Sequence, residues 1–102
     1  MDRIAIVKVD VEIVAAGVRA SRLIGSYVYN DEREDIGSID DLMIGDDDRV
    51  EFAILSVGGF LGLGAHLVAV DFDSLETDDS GRIVLPGATR EELQSLPEFR
   101  YR

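Results

Sequence analysis

The longest uncharged stretch of the chain runs from Phe52 to Val70 and reads FAILSVGGFLGLGAHLVAV. Its 19 residues are enough to cross a bilayer as a helix, and it contains the GxxxG spacing by which membrane helices associate. The alternative is a pair of buried β-strands, Phe52–Val57 and His66–Phe72, joined by the glycine loop GGFLGLG at residues 58–64. The fold of the whole chain depends on which alternative holds.

Three features favour the strands. The middle of the stretch is rich in glycine, which has poor helix propensity, and the flanks carry β-branched and aromatic residues that suit a pleated sheet. Its borders are acidic, with no cluster of Lys or Arg to mark a cytoplasmic side. We therefore predict two strands and no membrane span.

Charge and composition restrict the classes of partner. The net charge of −11 repels phosphate backbones, and the ten Lys and Arg residues are scattered, so we predict no nucleic-acid role. The 102 residues suffice for one domain. Without cysteine there are no disulfides or thiolate metal sites. No signal-peptide pattern stands at the beginning of the sequence, and we expect a cytoplasmic location.

The rest of the chain also has the pattern of short strands separated by turns. Ile36–Ile44 and Arg49–Val57 flank a tight acidic turn and predict a hairpin. Thr89 and Glu92 form a capping box that begins one short helix, which Pro97 ends. The pattern predicts an all-β protein, a small antiparallel barrel or sandwich with one C-terminal helix. Further short strands are predicted at Tyr27–Tyr29 and Arg82–Leu85.

Hydrophobic residues alternate with charged ones in the first part of the chain, which predicts a half-buried strand over Ile4–Val14. Unpaired strand edges tend to pair with another chain, so Met1–Ala16 is predicted to mediate self-association, as in a homodimer. The rival interpretation pairs this strand with Ile36–Ile44 of its own chain and leaves a monomer. The apolar residues predicted to make the contact are Val7, Val9, Val11 and Ile13.

Three motifs suggest chemistry but lack a necessary part. The glycine loop is not followed by the Lys that a phosphate-binding loop needs. The acidic turn after Glu76 resembles a calcium loop, but Gly87 stands where the bidentate Glu is required. His66 is the only histidine and has no nucleophile-elbow pattern near it. We therefore predict no catalytic, cofactor-binding or metal-binding residues.

Several segments together resemble the PRC-barrel family, which includes the cytoplasmic domain of the photosynthetic reaction centre H subunit and the C-terminal domain of the ribosome maturation factor RimM. The resemblance covers roughly Ala20 to Phe99, and the glycine loop is its most specific part. Ala65-His66 and Asp71 depart from the pattern of stand-alone members, which often carry Glu-Lys and Pro there. The segments are Leu23-Ile24-Gly25, Val28-Tyr29-Asn30, Ile36–Leu42, Ser56–Gly64, Val68-Ala69-Val70 and Phe72.

The resemblance implies a small, strongly bent β-barrel that docks on proteins and has no catalysis of its own. It divides the chain into an N-terminal extension (1–19), a PRC-barrel-like domain (20–99) and a short tail (100–102).

We accordingly expect a non-catalytic interaction or assembly module. The alternative is a small-ligand or divalent-cation-binding barrel that uses its acidic turns. Phe60, Leu61 and Leu63 of the glycine loop are predicted to form an apolar contact surface. A loop folded back as a lid on the barrel mouth is the competing interpretation.

Overall fold

The computed structural model describes residues 8–58 and 64–102, and in it the glycine loop joins two antiparallel strands. The strand predictions for both sides of the loop are confirmed. No helix in these two ranges is long and apolar enough to span a membrane. The elements in chain order are α1 Val11–Ala15, α2 Ala20–Leu23, β1 Tyr27–Tyr29, β2 Asp35–Ile44, β3 Val50–Val57, β4 His66–Asp71, a 3₁₀ turn Phe72–Ser74, β5 Glu76–Thr77, β6 Ile83–Val84 and α3 Arg90–Gln94.

The predicted β2–β3 hairpin is confirmed, and its turn is tight. The Gly45 backbone N–H donates to the Arg49 carbonyl at 2.9 Å. Asp48 adopts a φ of +59°, a left-handed conformation that Asp tolerates better than most residues. The adjoining β3–β4 pair then runs without a register shift from Phe52 opposite Asp71 to Val57 opposite His66. These three strands form one side of the six-stranded sheet, with β4 at its edge.

A β-bulge in β2 decides which of its residues face the core. Ile39 lies opposite Leu55, whereas Asp41 lies opposite Ile54, so Asp40 has no partner on β3. The extra residue shifts the alternation of side chains between the two faces of the sheet by one position. Both Ile39 and Leu42 therefore pack against the core, while Asp40 and Asp41 are exposed. The bulge therefore lets an acidic pair stand between two core residues.

The hydrophobic core lies on one face of the sheet, called here the inner face. Alternate residues of β3 point into it, and their cross-strand neighbours on β2 and β4 complete it. Seven aliphatic side chains in this core are at most 1% exposed, which gives the sheet its main hydrophobic stabilisation. They are Val28, Ile36, Ile39, Ala53, Leu55, Val57 and Val68.

The sheet has six strands in the order β4-β3-β2-β1-β6-β5. β4 and β5 are the two edge strands and do not pair with each other, so the described sheet is not closed into the barrel that the resemblance implies. The prediction of a fully antiparallel sheet is also wrong, because β6 pairs with β1 in parallel. After β4 the chain passes to the opposite edge of the sheet. There β5 and β6 form an antiparallel pair, and β6, which lies next to β1, runs in the same direction as β1.

The C-terminal helix is confirmed and closes one side of the core. Thr89 caps α3, because its hydroxyl accepts the Glu92 backbone N–H at 3.1 Å and donates to the Glu92 carboxylate at 3.0 Å. Leu93 is 4% exposed and belongs to the core cluster. Leu96, three residues further along the chain, is 40% exposed.

Beyond α3 the chain wraps the edge strand β4. The Phe99 backbone N–H donates to the Leu67 carbonyl at 2.7 Å, and the Tyr101 hydroxyl donates to the Asp40 carboxylate at 2.6 Å. Phe99 and Tyr101 also stack edge to face with ring centroids 4.9 Å apart. This segment covers an edge that would otherwise present unpaired backbone groups.

The N-terminal prediction is wrong over its described part. Residues 11–15 form α1 instead of a strand, and Lys8–Asp10 have no regular structure. Among the described residues no strand lies beside this segment. A helical turn satisfies its own backbone groups, and the Asp10 carboxylate accepts the Glu12 backbone N–H at 2.9 Å. Ile4–Val7 lie outside the described residues.

Candidate functional site

The strongest candidate for a functional surface is the apolar segment, defined as residues 8–18. It includes α1, which buries none of its residues. Two of the predicted contact residues, Val11 and Ile13, are 74% and 72% exposed. Val9, also predicted, is similarly exposed, and Val14 and Val18 join them.

A five-residue helix with no buried face is not stable by itself. Isolated helices in water need roughly 12–15 residues even when their sequences favour helix. Exposing the aliphatic side chains of the apolar segment to water is also unfavourable in free energy. Among the described residues, nothing buries a side chain of α1.

Beside the apolar segment lies an apolar groove of about 120 Å³. Val18 lines it at the end of the apolar segment, and Thr77 and Glu76 form its polar rim. The groove lies where the core meets the unclosed side of the sheet, since several of its lining residues pack on the core but remain partly exposed. Its other lining residues are Leu23, Ile39, Phe72, Leu75 and Ile83.

The predicted contact residues Phe60, Leu61 and Leu63 of the glycine loop lie outside the described residues, as does Val7. The two ends of the loop are described. Gly58 and Gly64 have φ values of +75° and +76°, a region that side-chain-bearing residues rarely adopt. The ends of the loop therefore require glycine for backbone geometry.

A polar cavity of about 320 Å³ lies on the sheet next to the glycine loop. Ser38 and Ser56 line it, together with Tyr27, Asp35 and Arg90. The Arg90 guanidinium already donates to the Asp35 carbonyl. Among the described lining residues there is no histidine, and Asp35 is the one carboxylate.

His66 is held in a structural contact. Its Nε2 lies 2.7 Å from the Leu96 carbonyl oxygen, which can only accept, so Nε2 carries the proton. This bond ties the start of β4 to the segment that follows α3. The contact gives His66 a role in covering the sheet edge.

One carboxylate of the acidic turn after Glu76 is used within the protein, since Asp78 accepts the backbone N–H groups of Ser80 and Arg82, both at 2.9 Å. Asp73 of the 3₁₀ turn pairs with Arg49 at 3.2 Å. Within residues 8–58 and 64–102 there is no group of three or more His, Asp or Glu arranged to hold a metal ion.

Sequence reasoning missed Val14, Val18 and the apolar groove. Val14 and Val18 break the strand-like alternation but follow Val11 at the helical spacings of three and seven. That signal was present in the sequence. The groove had no sequence signal, because its lining residues come from five separate parts of the chain.

Comparison with known proteins identifies the family and nothing finer. Among curated proteins none matches the sequence significantly. The family model for the PRC-barrel domain matches residues 16–91, more than half of the chain. This range contains all six strands of the sheet and the start of α3. The chain therefore belongs to the PRC-barrel family.

Proposed function

We propose that this protein is a non-catalytic interaction module of the PRC-barrel type, which assembles with a protein partner through its apolar segment. One observation carries the proposal: five aliphatic side chains within ten residues are each more than 60% exposed. Contiguous exposed apolar surface of this kind marks interaction sites. The five are Val9, Val11, Ile13, Val14 and Val18.

The chemistry of the surface supports a protein partner over a nucleic acid or an anionic membrane. The segment binds by apolar burial, and a chain of net charge −11 is repelled by phosphate groups.

Photo-cross-linking in the producing cell tests the proposal. A benzophenone amino acid in place of Ile13, which is 72% exposed, should give cross-linked protein adducts. The same group in place of Asp79, an exposed residue of the β5–β6 turn, is the matched control and should give few. Adducts at neither position, or equally at both, would count against the proposal.

A thermal melt separates this proposal from the alternative of cation binding. A ligand that binds only the folded state raises the melting temperature. We expect no rise with millimolar Ca²⁺ or Mg²⁺, since Asp73 and Asp78 already have partners. A rise that depends on Asp78, shown by its loss in Asp78→Asn, would favour the cation-binding function.

A further inference from the structure

We infer that the partner of the apolar segment is a second copy of this chain, whose apolar groove receives it. The inference rests on the proposed function and names the partner. It joins two features that the structure leaves unfilled, the segment that includes α1 and the groove at the open side of the core. Each copy would insert its segment into the other.

The size and chemistry of the groove fit an aliphatic side chain. An apolar cavity of roughly 150 Å³ can hold a molecule as large as benzene, so a groove of about 120 Å³ has room for one branched side chain such as Ile or Val. Filling it would also restore packing contacts that Leu75 and Ile83 lack on their exposed sides.

The segment does not fill the groove of its own chain. Val11, Ile13 and Val14 are 62–74% exposed, although Val18 at the end of the same segment lines the groove. The C-terminal end of each apolar segment, at Val18, therefore lies at the rim of the groove in its own chain. A two-fold axis close to Val18 would set two segments beside two grooves, so that both contacts form together in a closed dimer.

The area available is sufficient for a specific dimer. Five side chains at this exposure present roughly 500 Å² per copy, which lies in the range of functional patches. Two exchanged segments and the surfaces that they cover bury at most about 2,000 Å², the value reached if all five side chains of each copy are covered, and stable interfaces bury roughly 1,200–2,000 Å².

The net charge of the chain predicts how this dimer responds to salt. Two chains of net charge −11 repel each other, and salt screens that repulsion. Apolar burial is not weakened by salt. Self-association should therefore become tighter, not weaker, as the salt concentration rises from low values.

Disulfide trapping tests the contact directly, because the chain has no cysteine of its own. We would mix the single variants Ile13→Cys and Thr77→Cys, one of them carrying a mass tag, and oxidise them. Thr77 lies on the groove rim, so a disulfide between tagged and untagged chains is expected. Ile13→Cys mixed with Asp47→Cys, a residue of the β2–β3 turn that does not line the groove, is the control.

Light scattering on the full chain measures the association itself. We expect a dimer whose dissociation constant rises at least about tenfold in Ile13→Asp, while the melting temperature of the dilute monomer stays unchanged because Ile13 is exposed. Glu12→Gln, a polar change inside the same helix, is the control and should leave the dimer intact.

The outcomes separate this inference from the proposed function. A monomer at high micromolar concentration, or a trap that forms equally well with Asp47→Cys, would overturn the second-copy inference. If the cellular cross-links then join Ile13 to a different protein, the interaction function stands and only the identity of the partner changes. A monomer without cellular cross-links would contradict both.

Discussion

The inner face of the sheet and the apolar segment are built from the same aliphatic residues but differ completely in exposure. Ile36 in the sheet is 1% exposed, whereas Ile13 in the segment is 72% exposed. Ile36 lies in β2, which has β1 and β3 as neighbours, while the segment has no neighbouring strand among the described residues. An apolar residue stabilises the fold only where a second element covers it.

The two ends of the chain show the same difference. The C-terminal end is anchored by the His66–Leu96, Phe99–Leu67 and Tyr101–Asp40 contacts, which follow the buried Leu93. The apolar segment has a helix cap at Asp10 but no buried side chain. Capping alone therefore does not attach a helix to the domain.

The largest expected difference in the free energy of unfolding comes from replacing the same residue type in each region. Ile36→Ala should lower the free energy of unfolding by about 2–5 kcal/mol, because it removes buried methyl groups and leaves a cavity. Ile13→Ala should change it by less than about 0.5 kcal/mol. Urea unfolding of dilute protein measures both, and equal losses would show that the segment is part of the cooperative core.

The second test compares one glycine from each region. A Cβ on Gly37 would lie 2.6 Å from the Ser56 carbonyl oxygen, so Gly37→Ala should destabilise the fold by about 1–3 kcal/mol. A Cβ on Gly17 would lie 3.3 Å from the Val14 carbonyl oxygen in an exposed segment that is free to adjust. Gly17→Ala should be close to neutral, and a melting temperature lowered equally by both changes would contradict this.

The third test removes one helix cap from each region. Thr89→Ala should lower the free energy of unfolding by about 1 kcal/mol, since α3 positions the buried Leu93. Asp10→Ala removes an equivalent cap from α1 and should leave global unfolding unchanged. Guanidinium denaturation followed by circular dichroism distinguishes the two. A loss in Asp10→Ala as large as in Thr89→Ala would mean that α1 is docked on the domain.

The smallest effect concerns the hydroxyl of Tyr101. Its hydrogen bond to Asp40 is only partly shielded, so Tyr101→Phe should reduce stability by about 0.5–1 kcal/mol at neutral pH. Tyr27→Phe is the control, because the Tyr27 hydroxyl has no hydrogen-bond partner in the described structure. A similar loss in both variants would contradict a specific role of the Asp40 contact.

The same contact predicts a dependence on pH. Burial of the ring, followed by the hydrogen bond to Asp40, raises the pKa of Tyr101 well above its usual range. The unfolded chain therefore loses this proton first, near pH 10, and the stability that the contact provides declines as the pH rises further. Unfolding curves from pH 9 to 11 should show a smaller decline for Tyr101→Phe than for the unchanged protein.

Local sequence patterns predicted the secondary structure correctly wherever a strand and its turn are close in sequence. The acidic turn at Gly45–Asp48, the strands on both sides of the glycine loop and the Thr89 cap could all be predicted, because neighbouring residues determine them. The same patterns placed Asp40 and Asp41 in β2 but did not reveal the bulge. Its position depends on the register with β3.

The apolar segment shows where local pattern misleads. Alternation from Val7 to Ile13 is typical of a strand, yet a strand requires a partner for its backbone hydrogen bonds, and the sequence does not say whether one exists. Without a described partner, residues 11–15 form α1 instead. The strand edge from which self-association was predicted is absent over residues 8–15, and the proposal now depends on the observed exposure of Val9, Val11 and Ile13.

The sequence by itself determined the family, the predominance of β-structure and the apolar character of the segment around Val11, because these follow from residue type and short-range order. Only the tertiary structure decided that β6 pairs in parallel with β1, that the sheet stays open, and that a groove forms between Val18 and Ile83. These features bring together residues distant in sequence. Their placement depends on how the whole core packs, which no local pattern encodes.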